Sequence, residues 1–262
     1  MNATTTFEND LEQQKAEKIA TMAARAAEIA IELGQEPDAV RIFLQHYFRH
    51  VDASDMGERL LPDLLGLVES HYRAALTRPT SGPTVVIRRP SQTAGWTAGG
   101  ATVVQIVTDD QPFLVDSVTM EVLRQGWSIR EVFHPQFLVR RDETGRLSAL
   151  VQAEHAHESG VTAESWMHLE ILPPARPDSG DSLVSELEQG LREVLGLVEE
   201  AVQDWSEMTA RAEETIELLS RQRGGSDESV VDGRHEEAAL ASELLRWFAD
   251  NHFTYLGFRE YR

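Results

Sequence analysis

One block constrains the fold more than any other: residues 102–129, TVVQIVTDDQPFLVDSVTMEVLRQGWSI. A continuous apolar run ends at Asp109 and Asp110, passes Pro112, resumes with apolar residues at helical spacing and stops at Gly126. The run reads as a buried strand over 102–108, and the periodic part as a helix over 112–125. Strand, acidic turn and helix in that order place the turn at the C-terminal end of a strand, the ligand-facing edge of an α/β unit. Two readings of the turn follow. Unpaired N–H groups at the helix start receive a ligand carboxylate, or Asp109 or Asp110 caps the helix with Pro112 in its first turn. Spacing alone favours the second.

Upstream, apolar periodicity predicts three helices: 8–33 ending at Gly34, a second from Pro37 through Val51, and a third from Pro62 through Leu76. The stretch TRPTSGP (77–83) reads as a linker and TVVIRR (84–89) as a strand. Downstream of the opening block come a strand over 128–141, the turn RDETGR and a hairpin partner over 147–154. SWMHLEIL (165–172) alternates like a half-buried strand, and helical periodicity then runs from about 181 to 221. RQRGGSDESVVDGR marks a mobile stretch over 222–233, a last helix spans 234–250, and HFTYLGFREYR alternates like a strand. That terminal strand has no partner after it and is expected to begin a further domain.

Forty-four acidic against 24 basic side chains give a net charge of −20, a field that repels phosphate backbones and anionic lipid. Neither nucleic acid nor a membrane is an expected partner. No run approaches the ~18 apolar residues of a membrane span, the first 30 residues are too charged for a signal peptide, and cysteine is absent. The expected location is cytoplasmic. Twenty-two arginines stand against two lysines, Lys15 and Lys18, both among charged neighbours on the first helix.

The usual chemical motifs are missing. There is no G-x-G-x-x-G, no P-loop, no G-x-S-x-G and no H-E-x-x-H. His46/His50 and His155/His157 have metal-like spacing, but neither pair has a third ligand, so solvated side chains are expected. His134 and His168 fall in strands and are expected to pair across the sheet, and the five tryptophans to fill cores. No catalytic residue and no metal site is assigned.

The block DDQPFLVDSVTMEVLRQGWSI resembles the first strand-turn-helix of an ACT domain, with Asp110, Pro112, Leu114, Val115, Val118, Val122, Gly126 and Ile129 in the matching places. Phe113 stands where that pattern has a glycine. PFLVDSVTMEV, SWMHLEI and LRWFADNHFTYLGFREY, with YFRHV at 47–51, together resemble the N-terminal region of the large bacterial NAD-specific glutamate dehydrogenases, from about residue 40 to 262.

The resemblance implies an α+β chain: a helical N-terminal module over 1–77, then an ACT-like (ferredoxin-like βαββαβ) antiparallel sheet over 83–205 with helices on one face. A helical connector over 206–250 and the start of a further domain over 251–262 would follow. An ACT domain wants a strand after its second helix; periodicity there stays helical, so strand 84–89 is expected at that edge. The resemblance also implies a regulatory or assembly role, NAD only in the parent enzyme, and the rest of that chain and its homo-oligomer as partners; the alternatives are a degenerate ACT fold serving only oligomer contacts and a stand-alone amino-acid-binding module. An amino-acid effector would meet Asp109, Asp110, Gln111, Phe113, Leu114, Val115 and Gly126. Phe113 is expected to plug that approach, and its replacement by glycine to cost ~3 kcal/mol if the ring is buried.

Overall fold

The computed structural model describes residues 3–79, 82–175, 180–222, 233–252 and 259. They form two compact units, 1–196 and 197–262.

The first helix of the sequence reading is two, α1 (Ala3–Ala24) and α2 (Ala26–Leu33), parted at Arg25. The break lets Met22, Ala26, Ile29, Ala30 and Leu33 all bury. Gly34 closes α2 in the left-handed region at φ 63°, and the Gln35 N–H reaches back to the Ala30 carbonyl at 2.9 Å. Helix α3 (Pro37–Tyr47) stops short of Val51, and Asp52 then caps the short α4 (Ala53–Gly57) by accepting from the Ser54 N–H at 2.8 Å. Helix α5 (Leu61–Ala75) follows with Pro62 in its first turn.

The sheet comprises β1 (Thr84–Arg88), β2 (Thr102–Asp109), β3 (Ser128–Phe133), β4 (Gln136–Arg141), β5 (Leu147–Val151) and β6 (Thr162–Leu172). Every pairing is antiparallel, in the order β1-β2-β6-β4-β5, with β3 also on β6. β3 and β4 are the expected strand 128–141 interrupted at His134–Pro135, because proline has no N–H to give the ladder. The register on β6 is the same on both sides of the gap: Phe133 faces His168 and Gln136 faces Ser165. β1 occupies the outer edge beside β2, where 84–89 was expected.

Helix α6 (Leu114–Arg124) follows β2, and α7 (Gly180–Gln203) follows β6. Alternation along β2 and β6 assigns the faces. Val104, Ile106, Leu169 and Ile171 share one buried face with Val118 and Val122 of α6 and Leu187 and Leu191 of α7. The other face lies under α1–α5, where Phe43 packs 5.5 Å from Trp166 and Phe137 4.8 Å from Trp166, centroid to centroid.

Helices on one face were expected; helices cover both. A half-buried β6 was expected as well, yet Glu164, Trp166, His168 and Glu170 on its polar-looking face are fully buried. The cause is shared packing: helices α1–α5 and the sheet fill one core. The linker reading also changes at its start, since the Arg78 N–H bonds the Gly145 carbonyl at 3.0 Å and Arg78 is buried.

In the second unit, α8 (Trp205–Gln222) and α9 (Gly233–Trp247) precede a π-helical turn, Phe248–His252. Met208, Ala212 and Ile216 bury one stripe of α8, and Ser220 meets Ser242 at 3.2 Å. Trp247, expected in a core, is half exposed. Most of the stretch expected to be mobile (222–233) and most of the terminal strand expected over 252–262 lie outside the described residues; His252, expected to open that strand, ends the π-helical turn.

Candidate functional site

The β2–α6 turn is built from both strand and helix ends. Asp109 closes β2 and meets Arg78 at 2.8 Å. The Asp110 N–H bonds the Ala163 carbonyl at 2.9 Å, and its carboxylate accepts from Gln136 at 2.9 and 3.0 Å and from the Ser165 hydroxyl at 2.5 Å. Neither aspartate caps α6. The residue at its N-cap is Phe113, with φ 71° and no side-chain capping bond, and the helix starts at Leu114, beyond Pro112.

Phe113 is the one non-glycine residue with positive φ among those described. The backbone at this place asks for glycine, the residue type of the resembled pattern, and a bulky side chain there is strained. The residue is 38% exposed, so its ring does not fill a core.

Of the other residues expected at the site, Leu114 is core and Val115 and Gln111 are half-buried nearby. Gly126 does not join them. It lies beyond the far end of the 11-residue α6, roughly 16 Å from the turn at helical rise. There, at φ 85°, it lets the Trp127 N–H return to the Val122 carbonyl at 3.2 Å. The structure gathers Asp109, Asp110, Gln111 and Phe113, and separates Gly126.

Asp110, Ser165 and His134 form a chain, with Ser165 Oγ 2.8 Å from His134 Nε2. Burial pushes the His134 pKa down, against the pull of Asp110. The order is wrong for nucleophile activation, which needs the histidine between acid and serine. Here the serine is the middle member and gives its proton to the carboxylate.

His134 and His168 do not pair. His168 stacks on Phe133 at 5.4 Å and approaches Gln105 at 3.4 Å and Glu170 at 3.6 Å. His46 and His50 are exposed, as is His155, which meets Glu158 at 2.8 Å. Lys15 and Lys18, expected among charges, clamp α1 to neighbouring turns instead. Lys18 Nζ donates to the carbonyls of Met56, Gly57 and Arg59 at 2.8–2.9 Å, the end of α4 where a cation is favoured.

The most elaborate polar construction was missed by sequence reading. Glu164 accepts from Arg78 at 2.8 Å, from Arg141 at 2.7 and 2.8 Å and from the Trp166 indole at 3.0 Å. Glu170 accepts from Arg59 at 2.5 and 3.0 Å and from Arg130. Burial pushes the Glu170 carboxyl up, but His168, Arg59 and Arg130 hold it well below the ordinary range. The available signal was the i, i+2 spacing of Glu164, Trp166, His168 and Glu170 in a chain rich in arginine.

Residues 43–187 match the family model described as "Glutamate dehydrogenase, ACT1 domain". The chain belongs to that family. It is 32% identical over 223 residues to the NAD-specific glutamate dehydrogenase of Pseudomonas aeruginosa, covering 85% of this chain and 13% of the relative. The NAD-specific glutamate dehydrogenase of Halomonas elongata is 30% identical over 223 residues, again 85% and 13%. That of Mycobacterium tuberculosis is 31% identical over 205 residues, 78% of this chain and 11% of the relative. The chain thus spans about an eighth of the relatives' length.

The strand-turn-helix of this ACT1 family member does not fit a dinucleotide. A pyrophosphate needs glycines and open N–H groups at the helix start, whereas this turn offers Asp109, Asp110 and the Phe113 ring. No helix among the described residues is long and apolar enough to cross a membrane.

Proposed function

We propose that the chain is a non-catalytic regulatory and assembly segment of an NAD-dependent glutamate dehydrogenase, an enzyme that oxidatively deaminates L-glutamate to 2-oxoglutarate. The family match over 43–187 carries this reading. In it, residues 83–205 are an ACT-like domain whose fourth strand is supplied from upstream by β1, at the edge of β2. Residues 1–77 are the helical module that covers its second face, 206–250 a connector, and 251–262 the start of a further domain. The partners are the rest of the dehydrogenase chain and its homo-oligomer, in the cytoplasm.

A second reading keeps the fold and drops the effector: the domain serves oligomer contacts alone. Two observations support it. Asp110 is already satisfied by Gln136 and Ser165, with a strained Phe113 three residues on, and Met120 and Leu123 stand exposed on α6.

Calorimetric titration of the chain with a panel of amino acids separates the two. Binding abolished by Asp110→Ala supports a sensor at the turn. An absence of binding supports assembly alone, and binding that ignores Asp110→Ala moves the effector elsewhere.

A further inference from the structure

A cleft of ≈ 440 Å³ opens between α5, the end of β1 and the loop that follows it. Its volume is that of an ordinary small-molecule site. Glycine builds it. A Cβ on Gly66 would fall 2.2 Å from the Trp96 ring, so the missing side chain lets the indole lie against α5 and wall the cleft. The Asp63 carboxylate pins the loop by accepting from the Thr97 N–H at 2.6 Å.

The charge inside is unbalanced. Arg88 projects from β1 on the α5 side of the sheet and lines the cleft with Arg25 and Arg73. Arg73 bonds Glu69 at 2.6 Å and Arg25 bonds Glu28 at 3.2 Å. Arg88 meets no carboxylate among the described residues, and its Nε is buried without a hydrogen-bond partner. Burial without an anion drives its pKa down. In a chain of net charge −20, a half-buried guanidinium lacking a counterion is a cost that a bound anion removes. A planar fork of donors is matched by a carboxylate, and the two rim arginines offer a second anchor.

We infer that this cleft binds a small dicarboxylic acid, one carboxylate on Arg88 and the other toward Arg25 and Arg73. The inference rests on the regulatory reading above and relocates its effector from the β2–α6 turn. An α-amino group on the ligand would face Glu69, so an amino and an oxo dicarboxylate differ in affinity by that contact.

The test is isothermal titration of the 262-residue chain with L-glutamate, 2-oxoglutarate and inorganic phosphate, in wild type and in Arg88→Met. At least one dicarboxylate should bind saturably, and Arg88→Met should weaken it at least tenfold. The unliganded variant should unfold no earlier than wild type, because an unpartnered charge has been removed. Arg88→Gln gives a second route should Arg88→Met fold poorly. Absence of heat with both dicarboxylates overturns the site, and so does phosphate binding as tight as theirs. Binding unchanged in both Arg88 variants overturns it too, while leaving the sensor reading intact. Binding lost in the variants, in a dehydrogenase whose rate dependence on L-glutamate and 2-oxoglutarate is the same with Arg88→Met as with the wild-type residue, supports the site and removes the regulatory reading.

Discussion

Phe113 offers the sharpest check on the β2–α6 turn, because its backbone and its side chain make separable demands. At φ 71° any residue with a Cβ is strained, by roughly 1–2 kcal/mol. Phe113→Gly removes ring and strain together; Phe113→Ala removes the ring and keeps the strain. The lost ring contacts cancel between the two variants. At an ordinary position alanine is the more stable of the pair by ~0.4–1 kcal/mol, since glycine leaves a freer unfolded chain. Here the strain exceeds that entropy, so Phe113→Gly should be the more stable by about 0.5–1 kcal/mol.

Urea unfolding followed by tryptophan fluorescence measures the difference, with Trp127 and Trp166 buried in the same unit as reporters. Against wild type the glycine variant should fall within about 1–2 kcal/mol, not the ~3 expected of a buried ring, because a 38% exposed ring forfeits only part of its transfer energy. Alanine equal to or more stable than glycine would refute the left-handed assignment and the account of the turn built on it.

Glu170→Gln should destabilise the first unit by about 3–5 kcal/mol, because it strands Arg59 and Arg130 beside a neutral amide in a buried site; a loss under ~1 kcal/mol in chemical unfolding would mean the pair is solvated. Burial holds the pKa of His71 and His168 below the ordinary histidine value of 6.5. The unfolded chain therefore takes up protons that the native one refuses. The stability they contribute is complete above 6.5 and is lost on acidification, by up to about 1.4 kcal/mol per pH unit for each histidine; a flat stability profile from pH 7 to 5.5 would contradict this. Gly66→Ala, although alanine is the better helix former, should cost about 1–3 kcal/mol by pushing Trp96 off α5, and a gain in unfolding midpoint would show that the indole is not seated there.

Much of the fold was legible because it rests on local pattern. The stripes Val40–Phe43–Leu44–Tyr47 and Leu64–Leu65–Val68–Tyr72 face one core, and the run Val103–Val107 is a central strand. The edge role of residues 84–89 was legible by elimination, since 206–221 stays helical. What escaped is non-local. Alternation in SWMHLEIL says that one face differs from the other, not that the polar face is dry; only the arginines of distant segments decide that. Asp110 read as a cap because capping is a local event, whereas its partners Gln136 and Ser165 come from two other strands. Gly126 was grouped with the turn on resemblance, and the length of α6 sets it apart.

The two buried carboxylates also explain how the helical layer is held. Glu164 and Glu170 are six residues apart on β6, about 20 Å at strand rise. Helix α5 has 15 residues, about 22 Å at helical rise. Arg59 precedes α5 and bonds Glu170, and Arg78 follows it and bonds Glu164. One helix is therefore tied at both ends to one central strand, by ion pairs whose separation matches its length. Between the ties, Ser70 and the Leu67 carbonyl grip Gln105 of β2 at 2.9 and 3.2 Å. Sliding α5 along the sheet would break a buried ion pair at each end, at about 3–5 kcal/mol apiece. The same helix carries Gly66 and Glu69 in its middle and Arg73 in its last turn, all lining the Arg88 cleft. The cleft inferred above to take an anion is thus built on a helix held in register at both ends.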